Sequence, residues 1–296
     1  LSLVGSEMCI RDRVYLDDVI VYSSTFDDHL DDLLLVFYRL HAAHLRLKAS
    51  KCHLVCKKVH FLGHVVSCYG VEPDPAKLEA VRKYPRPTSI PAVRSFLGLV
   101  NYYRSFIYRF AEKAAPLHAL LQQSAVFDWT EEHETAFMVL KEHLMTAPVL
   151  AHPDWERPFK VQTDASNIGL GAVLSQVRDG REWVISFASH KLTTPESKRP
   201  AAENEAHAVL WACELFRPYL IGHKFLLETD NAAVAFMLQG NRSSKLLRWA
   251  LRLQEFDFTL KHRAGRINNN ADALSRYPID NVQPREQRDI TELLCI

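Results

Sequence analysis

A chain of 296 residues is long enough for about two domains, and a hydrophobic content of 48% is that of a sequence that buries cores. A formal net charge of +1 excludes strong whole-molecule attraction to nucleic acid, so such binding has to come from local basic stripes. Six scattered cysteines make no disulfide framework, and no apolar run reaches the ~18 residues of a spanning helix, so neither secretion nor membrane insertion is expected.

Residues 1–13 (LSLVGSEMCIRDR) open without Met and are set aside as a leader, cloning or gene assembly being one source of it. From Val14 to Ser23, Asp17 and Asp18 stand between two short β-branched and aromatic runs, which predicts a hairpin with acids at its tip. Acidic turns are common, so a solvated turn and a catalytic pair both remain open there. Leu30, Leu33, Leu34, Val36, Phe37 and Leu40 fall at helical spacing and predict a helix from Asp27 to Leu47, with Arg39, His41, His44 and Arg46 towards its end. Short strands follow to Val71. Cys52, His53, Cys56, His60, His64 and Cys68 crowd this stretch, but their spacing is not that of paired zinc knuckles, and no zinc site is expected. In Phe61-Leu62-Gly63-His64 the glycine either lets backbone approach a partner closely or merely ends a strand.

Pro73, Pro75, Pro85, Pro87 and Pro91 punctuate a connection. Ile90, Val93, Phe96, Leu97, Val100, Tyr103 and Ile107 then trace one side of a helix, with Arg94, Arg104 and Arg109 opposite, a side that is either solvated or turned to nucleic acid. Thr130 as N-cap, followed by Glu131, Glu132 and Glu134, predicts a further helix. Pro148, Pro153 and Pro158 mark a linker, and a domain boundary is expected near Trp155.

Phe159, Val161 and Thr163 alternate with Lys160 and Gln162, so a strand delivers Asp164 to the turn at Ser166-Asn167. Taken alone, Asp164 is a turn residue bonding its own backbone; with Glu205, Asp230 and Asp272 it is one of four acids that a divalent-cation site needs. Two strands, 169–177 and 182–192, flank the turn signal Arg178-Asp179-Gly180-Arg181. Ala206, Val209, Leu210, Cys213 and Phe216 predict a helix over 201–216 whose first turns hold Glu203 and Glu205. A strand over 224–229 ends at Asp230, which either caps the next helix or ligates metal. Arg242, Lys245, Arg248 and Arg252 recur at helical intervals with Leu246, Trp249 and Leu253 between them, a basic side that is solvated or holds phosphates. A strand over 256–262, a turn at Gly265 and Asp272 at the start of a short helix complete the pattern.

Read together, TDAS (163–166), AENEAHAVLWA (202–212), LLETDN (226–231) and NNADALSR (269–276) resemble the ribonuclease H domain of gypsy-type LTR retrotransposon Pol polyproteins. Upstream, YLDD (15–18), FLGH (61–64) and RSFLGLVNYYRSFI (94–107) resemble the end of the same polyprotein's reverse transcriptase, and the resemblance runs from about Val14 to Tyr277. It implies an α/β and α+β architecture: the C-terminal part of a palm (14–72), a helical thumb and connection (73–155), a ribonuclease H-like mixed five-stranded sheet with flanking helices (156–277), and a polar tail (278–296).

The implied activity is hydrolysis of RNA in RNA:DNA hybrids at two magnesium ions, manganese being a substitute, held by Asp164, Glu205, Asp230 and Asp272. Glu203 is not a ligand in this pattern, and His262 stands where some relatives carry a His that helps product leave. In the palm Asp17 would hold metal beside Asp18 and Tyr15, but the family's further upstream Asp and its fingers are absent from these residues, so no DNA polymerisation is expected of them. The resemblance also assigns nucleic-acid contacts to Tyr15, Gly63, His64, Arg94, Arg104 and Arg248, with primer-template and hybrid as partners. A homodimer or other Pol domains are further partners, and a cytoplasmic virus-like particle with nuclear entry is the expected location. The alternative is a decayed or repurposed copy that only binds nucleic acid or a partner.

Overall fold

A computed structural model of the chain describes residues 12–15, 18–23, 25–122, 127–229 and 244–262. The described residues form two compact units, dividing between Asp74 and Pro75.

In the first unit β1 (Asp12–Tyr15) and β2 (Asp18–Val21) pair antiparallel with Tyr15 opposite Asp18, the tight hairpin expected of this stretch. Its first strand takes in Asp12 and Arg13, ahead of the Val14 at which the family pattern begins. Helix α1 (Phe26–Ala42) starts on Thr25, whose hydroxyl accepts a 3.1 Å hydrogen bond from the Asp28 amide. It stops five residues short of the expected end, because His44 adopts a left-handed φ of 58° that a helix cannot absorb. Strands β3 (Lys58–Phe61), β4 (His64–Ser67) and β5 (Gly70–Pro73) form an antiparallel meander. A small apolar cluster joins Ile20 and Val59, with Tyr22, Phe61 and Val66 against them.

In the second unit α2 (Pro75–Arg82) and α3 (Ile90–Tyr102) precede α4 (Phe110–Ala119) and α5 (Glu131–Met145). The single helix expected to reach Ile107 is instead α3 plus a short 3-10 turn, Arg104–Phe106. Tyr103, Phe106 and Ile107 are all buried, and the helix ends at Tyr103, whose φ of -99° and ψ of 18° depart from α geometry. Phe96 packs between Tyr84 and Phe137, with ring centroids 5.3 and 4.6 Å away.

The sheet consists of β6 (Phe159–Ala165), β7 (Gly169–Arg178), β8 (Arg181–Lys191), β9 (Phe225–Thr229) and β10 (Phe258–His262), in the order β10-β9-β6-β7-β8. β6, β7 and β8 are an antiparallel meander, whereas β9 and β10 run parallel to β6. The β7–β8 turn uses Asp179 and Gly180 at φ 52° and 75°, the left-handed pair that a two-residue hairpin demands. The short α6 (Thr194–Ser197) is followed by α7 (Ala201–Leu215) and α8 (Arg217–Leu220), and α9 (Ser244–Leu253) comes before β10.

Helix α7 lays Ala206, Val209, Leu210 and Cys213 on Phe159, Val161, Leu174 and Leu227, and Trp249 and Leu253 of α9 close the same core. On the meander's other flank α4 packs against β7 and β8. The connection helices and the sheet therefore belong to one compact unit. Among the described residues no helix is long and apolar enough to cross a membrane.

Candidate active site and nucleic-acid interface

Asp164 sits one residue from the end of β6, where the pairing with β7 sets it opposite Gly171. The turn that follows is held by Ser166, whose hydroxyl accepts from the Gly169 amide at 3.1 Å and whose amide donates to the Gly169 carbonyl at 2.9 Å. Glu205 sits in the second turn of α7, the helix that packs on β6. Both carboxylates are largely withdrawn from water, the residues being 9% and 8% exposed, and carboxylate oxygens are donors suited to a hard divalent cation. Glu203 is employed otherwise, paired with Lys245 and lying 3.6 Å from Arg199.

β9 ends at Thr229, immediately before position 230, and His262 at the end of β10 is in register with Thr229. β9 pairs with β6 at an offset of 66 residues, as in Gln162 opposite Glu228, and the same offset separates Asp164 from Asp230 in sequence. Asp17, Asp230 and Asp272 lie outside the described residues, as do the side chains of Tyr15 and His262. Among the described residues no group of three or more His, Cys, Asp and Glu side chains is placed to hold a metal ion.

The cation that Asp164 does meet is Arg109, whose guanidinium Nη2 is ion-paired with its carboxylate. Arg109 was expected on the basic side of the helix that also carries Arg94 and Arg104. It stands instead at the N-cap of α4 with φ 51° and ψ 41°, outside any helix. Its Cγ lies 3.6 Å from where a Cβ on residue 171 would be, an ordinary van der Waals distance. No sequence period marks this contact, since a left-handed residue with a non-glycine side chain leaves none.

Arg94, Arg104 and Arg248 are exposed, on α3, the 3-10 turn and α9. On α9, Lys245 and Arg252 are already paired with Glu203 and Glu214. Gly63 shares with Leu62 a two-residue hairpin turn, φ 66° and 47°, joining β3 to β4. The Gly63 carbonyl accepts from the Asp74 amide at 3.2 Å. Burial lowers the pKa of His64, opposed by its 2.7 Å hydrogen bond with the Leu62 carbonyl, so its ring is neutral near pH 7. Asp18 is exposed at the start of β2.

Comparison with known proteins matches residues 10–66 to the reverse transcriptase (RNA-dependent DNA polymerase) family and residues 129–227 to the RNase H-like domain found in reverse transcriptase. The retrovirus-related Pol polyprotein from transposon 297 of Drosophila melanogaster is 40% identical over 269 residues, 90% of this chain and 25% of that protein. Those from transposons 412 and gypsy of the same species are 36% and 34% identical, over 94% and 93% of this chain and 22% and 28% of their own lengths. The chain thus spans about a quarter of the length of these relatives. The fold is that of the foamy viral protease-reverse transcriptase solved in complex with RNA/DNA hybrid, with TM-score 0.73 and 22% identity over 94% of this chain and 38% of that one. A second foamy viral structure, in complex with ds DNA, gives TM-score 0.72 and 23% identity over 85% of this chain and 46% of that one. With palm-type strands ahead of Asp74, a mixed sheet carrying Asp164 behind it, and relatives alike over nine-tenths of its length, the chain belongs to the Pol polyproteins of gypsy-type LTR retrotransposons.

Proposed function

We propose that this part of the polyprotein hydrolyses the RNA strand of RNA:DNA hybrids. The observation that carries the reading is the pair of withdrawn carboxylates, Asp164 and Glu205, on a strand and a helix packed together in a ribonuclease H-like sheet. Domains of this kind depend on divalent metal, and the carboxylate donors of Asp164 and Glu205 suit it; with Asp230 and Asp272 they would hold two magnesium ions, with manganese able to substitute. Magnesium bound there would supply an activated water and neutralise the charge that develops on the leaving 3′ oxygen.

The chain's own residues do the positioning. Pairing to β7 and β9 fixes the direction of β6, and the α7 core fixes Glu205, so little reorganisation is left for the reaction. His262, whose backbone is in register with Thr229, is the residue we assign to product release or a proton transfer. Arg94, Arg104 and Arg248 are assigned to phosphates, and the Gly63 turn, Tyr15 and His64 to the primer-template; a virus-like particle in the cytoplasm, with nuclear entry, is the setting.

The test is cleavage of a labelled hybrid by the full 296-residue chain with magnesium, with single-stranded RNA as control. Asp164→Asn is expected to reduce the rate about 100-fold or more. Absence of cleavage, or cleavage indifferent to that substitution, overturns the reading, and a salt-sensitive gel shift without hydrolysis identifies a copy that only binds nucleic acid.

A further inference from the structure

Arg109 is poised between two carboxylates. Its Nη2 is ion-paired with Asp164, while its Nη1 lies 3.6 Å from Oε2 of Glu112, one turn into α4. The guanidinium carbon stands 5.4 Å from the centroid of the Tyr108 ring, within cation–π range. Its side chain retains 32% exposure, so it has room to move, and its buried Nε makes no hydrogen bond. An arginine engaged through part of its donor fork, with a second acid and an aromatic face in reach, is not locked where it is.

The backbone beneath it is fixed. The Ala111 amide donates to the Ser189 hydroxyl at 2.8 Å, and an added Cβ on Gly169 would come within 3.3 Å of the Ala111 methyl. What moves is therefore the side chain and not the helix. A divalent ion at Asp164 and a guanidinium at Asp164 compete for the same oxygens and repel each other.

We propose that Arg109 is an internal counter-cation of Asp164 which a divalent metal has to displace, and that Glu112 and the Tyr108 ring receive the guanidinium when it leaves. The inference rests on the reading of Asp164 as a metal ligand. It makes metal loading a two-position exchange: one cation leaves the carboxylate as another arrives, so Asp164 itself is never left without a counter-cation.

The test is manganese binding by the full chain without nucleic acid, read by calorimetry or by the paramagnetic resonance of free manganese. Arg109→Asn removes the charge and keeps a residue that tolerates the left-handed backbone, and Arg109→Gly is the second variant at that position. Both are expected to bind manganese about 5- to 50-fold more tightly than the parent, whereas Glu112→Gln, which deprives the guanidinium of its receiving acid, binds about threefold or more weakly. In the Arg109→Asn background Glu112→Gln is expected to change nothing, which separates an exchange of partners from a general effect of charge.

Circular dichroism confirms that each variant is folded. Affinity unchanged in both Arg109 variants, in a parent whose binding is lost with Asp164→Asn, overturns the exchange and leaves the metal site standing. Binding that ignores Asp164→Asn overturns both. Weaker hybrid binding by the Arg109 variants with unaltered manganese affinity also overturns the exchange, and marks Arg109 as a phosphate ligand.

Discussion

The ammonium of Lys160 on β6 lies 3.0 Å from the carboxylate of Glu228 on the parallel strand β9. Glu228 also accepts from Gln162 at 3.0 Å and lies 3.2 Å from Lys261 of β10, so one acid ties three adjacent strands together. Burial is the largest influence on its carboxyl and pushes the pKa up, but the hydrogen bonds from Gln162, Lys160 and Lys261 with the charge of Lys160 outweigh it and leave the pKa lowered. A depressed carboxylate stabilises the fold fully above its unfolded pKa of about 4.3 and ceases to do so as the pH falls through the folded value. Glu228→Gln should therefore cost about 1–3 kcal/mol at pH 7 and progressively less as the pH falls below about 4. Urea unfolding at neutral and at falling pH checks this, and an equal loss throughout contradicts it.

The two glutamates at the start of α7 separate chemistry from structure. Glu205→Gln should cut hybrid cleavage about 100-fold or more with the fold intact, because a buried carboxylate proposed to hold metal loses its charge. Glu203→Gln should leave the rate within about threefold and cost less than about 1 kcal/mol, since its partners Lys245 and Arg199 make a part-exposed ion pair. Turnover and thermal denaturation of both variants decide it; reversed roles would put the metal ligand about half a turn away, on the other side of the helix.

Two glycines of β7 should respond oppositely to alanine. A Cβ on Gly169 would stand 2.8 Å from the His190 carbonyl oxygen, backbone that cannot step aside, so Gly169→Ala should cost about 1–3 kcal/mol. A Cβ on Gly171 meets only ordinary contacts at 3.6 and 3.9 Å, and Gly171→Ala should be neutral or stabilising by about 0.5 kcal/mol. Thermal melts of the two variants are the measurement.

Cys213 lies in the α7 core with no exposure, and burial, reinforced by Glu214, pushes its thiol up to about 12. At pH 8 native protein should therefore leave Cys213 unalkylated by iodoacetamide while the exposed Cys68 reacts, and both should react after unfolding. Peptide mass spectrometry reads the outcome; equal native rates would mean that the core opens readily.

The elements legible in the sequence are those governed by neighbours along the chain. Alternation at Phe159, Val161 and Thr163 set the β6 strand, Asp179-Gly180 its hairpin, and the apolar spacing of Ala206, Val209 and Cys213 the α7 face. The parallel pairing of β9 with β6 and with β10 was not legible beyond the mixed sheet that family likeness implied, since contacts 33 to 66 residues apart leave no local period. The break at Tyr103 was hidden because Tyr103 and Ile107 keep helical spacing from the residues before them, although the chain tightens into a 3-10 turn there. Asp164 was legible as the end of a strand, but its partner Arg109, some fifty residues upstream, was assigned to the wrong surface because its left-handed backbone turns it off the helix.

The seam between α4 and the meander bears on how such polyproteins are taken apart and reassembled. Tyr108 rests on Phe187 with ring centroids 6.0 Å apart, and the Ala111 amide is anchored by Ser189, so a fragment begun at Arg157 would be born with one wall missing and a bare Phe187 inviting aggregation. Swapping this RNase H-like sheet into another polymerase, in evolution or at the bench, demands that the graft begin at or ahead of Pro75, carrying its bracing helices as part of the cargo.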